Sequence, residues 1–202
     1  MKTITLGFTG ASGLPYGMRL LECLLAAGCK VHLLYTQAAQ IVARQELNET
    51  WPSRPAELAA QFKQRFKLQD DMQLQVWGQQ EWFAPMASGS NPGDGMVVCP
   101  CTMGALAAIA GGMSENLLER AADVMIKEGK KLVLVPREAP FSALHLENML
   151  KLARLGVVIL PPNPGFYHHP QTLADMVDFV VARILDQLDV PHQLMVRWGE
   201  SS

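Results

Sequence analysis

The sequence predicts one α/β domain: a doubly wound parallel sheet with helices on both faces. Three observations lead there. Short apolar runs of strand length alternate with longer segments whose apolar residues recur at helical spacing. The short runs read as buried, as strands covered on both faces are. The 202 residues suit one hydrophobic core, with no internal repeat and no low-complexity tract.

Residues 3–8 (Thr-Ile-Thr-Leu-Gly-Phe) read as a short buried strand. A glycine-bearing loop, 9–15, leads into a helix over 16–27. There Met18, Leu21 and Leu25 recur at helical spacing beside Leu20 and Leu24, and Gly28 ends the helix. Residues 30–35 form a second strand and 37–46 a second helix. Asn48, Trp51, Pro52, Ser53 and Pro55 mark 47–58 as a loop. The polar stretch 56–67 reads as a short helix and 73–77 as an edge strand. Two prolines, three glycines and two serines make 84–95 a loop.

The alternation then becomes regular. A strand over 96–99 precedes a small-residue helix over 102–110, and another helix covers 116–128. The strand 131–135, the loop 136–140 and a helix over 142–154 follow. A strand at 157–160 and a loop at 161–170 lead to the last helix, 171–188. In that helix Leu173, Met176, Val177, Val180, Val181, Ile184, Leu185 and Leu188 fall on one stripe.

Charged residues make up only 18% of the chain and hydrophobic residues 49%. A charge fraction below the usual ~25% leaves apolar surface to be covered, and a subunit interface covers it most simply. A net charge of −2 offers no global field for nucleic acid or anionic membrane. No apolar run approaches the roughly 20 residues that span a bilayer. The Met-Lys-Thr start lacks a signal-peptide layout, so a cytoplasmic location is expected. Cys23, Cys29, Cys99 and Cys101 lack metal-ligand spacing and read as reduced.

In such folds ligands bind beyond the C-terminal ends of the strands. That singles out the loops 9–15, 36–37, 100–105, 136–140 and 161–170. Thr9-Gly10-Ala11-Ser12-Gly13 joins a strand to a helix, and glycines there let backbone N–H groups approach an anion. The spacing is neither the dinucleotide fingerprint nor a P-loop. Taken alone, the loop suits a phosphate, a flavin or a plain tight turn. Pro100-Cys101-Thr102-Met103-Gly104 repeats the arrangement, with Thr102 as N-cap. Pro136-Arg137-Glu138-Ala139-Pro140 sets a guanidinium and a carboxylate at a strand exit. They suit either a bound anion and a proton exchange in an enclosed site, or a structural ion pair. Tyr167, in a proline-rich loop, suits anion binding or packing, and Arg183 suits a ligand role or an i,i+3 pair with Asp186. His168 and His169 read as solvated, and His145 as a capping or packing residue. Tyr35-Thr36-Gln37 puts no acid at the end of the second strand, which favours FMN over NAD.

Together these segments resemble the flavin prenyltransferases, proteins formerly described as aromatic-acid decarboxylases. The resemblance rests on Gly10-Ala11-Ser12-Gly13, Ala87-Ser88-Gly89-Ser90, Pro100-Cys101-Thr102, Asn116-Leu117-Leu118-Glu119-Arg120-Ala121-Ala122-Asp123-Val124, Leu134-Val135-Pro136-Arg137-Glu138 and His145-Leu146-Glu147-Asn148-Met149-Leu150. Pro161-Pro162, Phe166-Tyr167 and Arg183 complete it, so it spans about residue 3 to Trp198. It implies a Rossmann-like (flavodoxin-like) single domain over 1–202, with the tail from about 189 packing on the site or on a neighbouring subunit.

The resemblance also implies that FMN contacts Gly10, Ala11, Ser12, Thr36, Thr102, Met103, Gly104, Ala105 and Arg137. Dimethylallyl phosphate would meet Ser90, Arg120, Lys127, Tyr167 and Arg183, with Trp82 and Trp198 as walls. Ser12, Glu46, Lys127 and Glu138 would be catalytic. Thr36 stands where the family commonly has serine, and Asn48 where an acid is expected near Glu46. The implied reaction joins dimethylallyl to reduced FMN at N5 and C6. The prenylated FMN then serves a partner decarboxylase, in pathways such as ubiquinone biosynthesis. A homo-oligomer, trimer or dodecamer, is implied too. Asp70-Asp71 lacks the third acid of a magnesium-binding prenyltransferase motif, which agrees with metal-free chemistry. Two rivals share the flavin reading. Flavin-dependent cysteine decarboxylases rely on a histidine that Ser12–Tyr16 lacks, and a passive flavin carrier has no need of extra phosphate ligands.

Overall fold

The computed structural model describes residues 1–195 and Gly199. Six strands form one sheet: β1 (Thr3–Phe8), β2 (Lys30–Tyr35), β3 (Leu74–Trp77), β4 (Gly95–Cys101), β5 (Lys131–Pro136) and β6 (Val158–Ile159). Their order is β3-β2-β1-β4-β5-β6, and every neighbouring pair is parallel. The chain winds outward from β1 to β3, returns to the centre at β4, and winds outward the other way. The strand order therefore reverses between β1 and β4, which makes that junction the switch point of the fold.

Seven helices cover the sheet: α1 (Leu14–Ala26), α2 (Gln37–Glu46), α3 (Pro55–Arg65), α4 (Met103–Gly111), α5 (Leu117–Lys127), α6 (Ala143–Arg154) and α7 (Leu173–Gln187). They sort onto two faces because strand side chains alternate. Ile4, Leu6 and Phe8 of β1 pack with Leu20, Leu21 and Leu24 of α1 and with Ile184 and Leu185 of α7. Met96 and Val98 of β4 and Leu132 and Leu134 of β5 pack with α4, α5 and α6 on the opposite face. From Val180 onward the apolar stripe of the last helix is thus spent in this layer beside α1, while Leu173 at its start is exposed, and Arg19 Nε of α1 also reaches Asp178 Oδ1 at 2.7 Å.

Among the boundaries that differ from the sequence reading, three change how the site is built. Helix α1 begins at Leu14 rather than 16, because Pro15 suits a first helical turn. Strand β4 continues through Pro100 to Cys101, with a register shift against β5 between Val98 and Cys101. That shift turns Cys99 to one face of the sheet and Cys101 to the other. The last helix begins at Leu173, after a capping box between Thr172 and Asp175. The four cysteines are free, as expected. His145 closes a capping box with Ser142, also as expected. His168 departs from its expected solvation: its ring stacks on Phe179 at 5.0 Å.

One buried polar pair has a measurable consequence. His32 is 3% exposed in β2, and its Nδ1 accepts from the Trp77 indole N–H of β3 at 2.9 Å. That bond needs a neutral imidazole. Burial, helped by the nearby Lys30 charge, pushes His32 down from 6.5 to about 4. The folded pKa lies below the unfolded one, so the contribution is complete above about pH 6.5 and is lost as pH falls toward 4. The loss is on the order of 3 kcal/mol at most. Denaturant unfolding between pH 7 and 4 should show it, and His32→Gln, which still accepts from the indole, should flatten that part of the profile.

Candidate active site

Because all six strands run one way, their C-terminal ends share one edge, and three helices start there. The tie between them is Thr9, 1% exposed at the exit of β1. Its hydroxyl donates to the carbonyl of Pro100 at 2.7 Å and accepts from the amide of Thr102 at 2.9 Å. One buried hydroxyl therefore fixes the β1–α1 turn against the β4–α4 turn. The third turn is held by Gly10. A Cβ there would stand 2.4 Å from the Ala38 Cβ, so only glycine lets the first turn of α2 rest on this loop.

The three helix starts differ in what they leave available. Thr36 caps α2 by accepting from the Ala39 amide, and Thr102 caps α4 by accepting from the Ala105 amide. Each cap satisfies its helix's third residue. The N–H groups of the first two residues, Gln37–Ala38 and Met103–Gly104, point out of the helix end, as helix geometry requires. At α1 the first amides are already used. Glu46 Oε2 accepts from Gly13 at 3.0 Å and from Leu14 at 2.9 Å. A carboxylate from the end of α2 thus neutralises the start of α1. The glycine-bearing loop that is conspicuous in the sequence contributes close backbone approach, and the open anion positions belong to α2 and α4. A Cβ on Gly104 would meet nothing closer than the Thr102 hydroxyl at 4.0 Å, so the start of α4 faces open space.

Arg137 lies beside this cradle. Its Nε donates to the Ser12 carbonyl at 3.2 Å, joining the β5 exit to the β1–α1 loop. Glu138 is exposed in a single copy of the chain, contrary to the enclosed position expected of it. Its carboxylate accepts from the Ala139 amide at 3.0 Å. Among the described residues it forms no ion pair with Arg137, because the guanidinium turns back toward Ser12. Cys99 and Cys101 are fully buried, and burial pushes the Cys101 thiol up to about 12 and the Cys99 thiol up as well. Neither supplies a thiolate nucleophile at neutral pH.

The remaining expected residues gather elsewhere. Arg120 Nε donates to the Ala87 carbonyl at 3.0 Å, and its Nη1 pairs with Asp123 at 2.9 Å. Ser90 shares a hydrogen bond of 2.9 Å with Ser88. Lys127 ends α5 and pairs with Glu128. Helix α5 starts at the cradle edge, where the Leu117 amide donates to Gln79, and runs toward the start of β5. Ten residues at about 1.5 Å each carry Lys127 some ~15 Å from that edge. Tyr167 packs its ring edge-on against Phe179 at 5.7 Å, and Arg183, four residues later on α7, pairs with Asp186. Trp82 is 42% exposed beside a fully exposed Phe83. Trp198 lies outside the described residues. One copy therefore ties together Gly10, Ser12, Thr36, Thr102 and Arg137, and groups Ser90, Arg120 and Lys127 around the 87–90 loop and helix α5. The sequence reading passed over the role of Thr9. Its signal was a hydroxyl directly after the buried strand, at the mouth of the glycine loop.

Residues 1–185 match the Flavoprotein family. The chain is 54% identical over 199 residues to the flavin prenyltransferase UbiX of Pseudomonas aeruginosa, covering 98% of this chain and 95% of that protein. The structure superposes on AnUbiX (PadA1), solved in complex with FMN and dimethylallyl pyrophosphate, with a TM-score of 0.87 and 35% identity. That match covers 100% of this chain and 99% of the other. A dodecameric FMN-dependent UbiX-like decarboxylase from Escherichia coli O157:H7 gives a TM-score of 0.85 at 40% identity, over 98% of this chain and all of that one.

Thr9→Val keeps the shape and removes the tie. It strands the Thr102 amide and leaves the Pro100 carbonyl only the Thr9 amide, at 3.4 Å, at a cost of about 1–3 kcal/mol for an unsatisfied group. Chemical unfolding should show a loss in that range. A loss below about 0.5 kcal/mol would mean the two turns are held by packing and the Thr9 backbone amide, without need of the hydroxyl.

Proposed function

We infer the activity from one premise: the chain belongs to the Flavoprotein family and, within it, to the flavin prenyltransferases. It is a transferase that attaches a dimethylallyl group to FMN. The observation that carries the reading is the paired, outward-facing starts of α2 and α4 at the switch point, tied together through Thr9 and flanked by Arg137. Two uncommitted helix N-termini and a guanidinium suit the phosphate and the polar ring edge of a flavin mononucleotide. The open space at Gly104 supports a ligand lying against the start of α4.

When reduced and bound, FMN supplies the nucleophilic ring positions. The chain's own residues do the rest. Gly10, Ala11, Ser12, Thr36, Thr102, Met103, Gly104 and Ala105 hold the flavin, and Arg137 orients it. Lys127, Arg183 and Tyr167, with Ser90 and Arg120, neutralise the charge that gathers on the leaving phosphate as the allylic C–O bond breaks. Trp82 shelters the allylic cation through its ring face. The Glu138 carboxylate takes the proton released from the flavin ring carbon and passes it toward the departing phosphate. Glu46, bonded to Gly13 and Leu14, fixes the loop that carries Ser12.

The cationic surface around Lys127 reaches the cradle when copies associate, so the working enzyme is a homo-oligomer whose sites lie between subunits. Exposed Phe83, Leu144, Leu146, Leu150, Phe166 and Leu173 supply apolar contact surface, which supports this reading. Association also encloses Glu138. The product leaves for a decarboxylase that uses prenylated FMN, and the four free cysteines fit a reducing, cytoplasmic setting. Among the described residues no helix is long and apolar enough to cross a membrane.

Incubating the protein with reduced FMN and dimethylallyl phosphate, followed by mass analysis, should show the flavin gaining one isoprene unit. An unchanged flavin mass under anaerobic, reducing conditions would overturn the activity. Glu138→Gln should bind FMN normally and slow formation of the cyclised product by about 100-fold or more. Wild-type rates in that variant would reduce Glu138 to a structural residue.

A further inference from the structure

Lys127 is the last residue of α5, and Glu128 is its C-cap. Neighbours in sequence do not face each other on a regular helix. Here the helix ends between them, and both side chains turn to one point, the backbone of Gly89. A Cβ on Gly89 would stand 2.0 Å from Glu128 Oε1 and 2.7 Å from Lys127 Nζ. The ion pair therefore fills the volume that any side chain at position 89 would need.

The segment around Gly89 is anchored on both sides. Arg120 holds the Ala87 carbonyl at 3.0 Å, and the Ser88 hydroxyl accepts from the Ser90 amide at 3.3 Å while sharing a bond with the Ser90 hydroxyl. Against this fixed loop the Lys127 ammonium would otherwise swing on four methylenes. A lysine is a flexible point charge, and its usefulness to a phosphoryl group depends on where it is held. Glu128 takes one of its three N–H donors, leaving two for a ligand.

We propose that Glu128 is a positioning residue: seated in the gap left by Gly89, it fixes the Lys127 ammonium beside Ser90 for the phosphoryl group of the prenyl donor. This rests on the reading of Lys127 as a donor-phosphate ligand. The carboxylate touches neither donor nor flavin and acts only through Lys127. Two opposed effects attend it. A nearby negative charge weakens attraction for phosphate, but at a half-exposed pair that effect is small and screened. The ordering of a long, flexible side chain outweighs it, so removing Glu128 weakens donor binding.

The experiment measures steady-state KM and kcat for dimethylallyl phosphate, with FMN affinity and Tm, in Glu128→Ala, Glu128→Asp, Gly89→Ala and Lys127→Ala. Glu128→Ala should raise the donor KM roughly tenfold, the scale of a lost side-chain restriction. Its kcat should fall as well, because Lys127 also meets the charge of the departing phosphate, while FMN affinity and Tm stay at wild-type values, and Glu128→Asp should recover part of the loss. Gly89→Ala should raise the donor KM in the same way, since its methyl displaces both charged groups, whose far ends are free to move. If Lys127→Ala damages donor use while Glu128→Ala and Gly89→Ala leave the donor KM unchanged, the positioning role is overturned and the donor-site reading stands. If Lys127→Ala is itself indistinguishable from wild type, the donor-site reading fails and Glu128 falls with it.

Discussion

The arrangement depends on a hydroxyl with no access to water. Thr9 sits where β1 ends, with Pro100 and Thr102 of the neighbouring β4 exit as its two partners. Pro100 has no amide to donate, and its carbonyl is taken up by the Thr9 hydroxyl. Were the hydroxyl absent, the two turns that form the switch point would be joined by apolar packing and one long backbone bond, from the Thr9 amide to the Pro100 carbonyl at 3.4 Å. With it, the start of α4 is set relative to the β1–α1 loop, and through Gly10 and Ala38 relative to the start of α2. The relative placement of two helix ends becomes a property of the sheet rather than of mobile loops.

The division of labour among the three helix starts follows from charge. Each helix end carries a partial positive charge and unpaired amides. Glu46 answers the need at α1 from within the chain, leaving α2 and α4 as the ends with amides to spare. A bound phosphate at α1 would have to displace a carboxylate already held by two amides. At the starts of α2 and α4 it displaces water. The proposed flavin cradle is therefore asymmetric, with structural charge on one side and ligand charge on the other. The surface carrying Ser90, Arg120 and Lys127 has its cationic groups partly matched by Asp123 and Glu128.

Much of this was legible in the sequence because it is local. The apolar runs and helical spacings placed every strand and helix, and Thr102 and His145 announced themselves as capping residues. The FMN and prenyl-donor residues entered through family resemblance. What stayed hidden depends on separation along the chain. Glu46 lies 32 residues from Leu14, and nothing in either segment says that one caps the other. The continuation of β4 through Pro100 was obscured because proline reads as an end of strand, and a strand can accept it where the amide has no partner to serve. His168 read as solvated because its neighbours in sequence are polar or aromatic loop residues, whereas its partner in space, Phe179, belongs to the next helix. Glu138 read as enclosed, and in one copy it is not. Its place at a strand exit between two prolines says nothing of how far the side chain reaches into solvent.

The central claim is that the flavin lies across the starts of α2 and α4, with its site completed by another copy. A structure of the assembled protein with FMN and dimethylallyl phosphate bound tests it most directly. The account predicts the FMN phosphate within hydrogen-bond reach of the Thr36 and Thr102 turns, the ring beside Arg137, and Lys127 of an adjacent copy at the donor phosphate. A flavin held elsewhere on a single subunit, with Lys127 of every copy facing solvent, would contradict it.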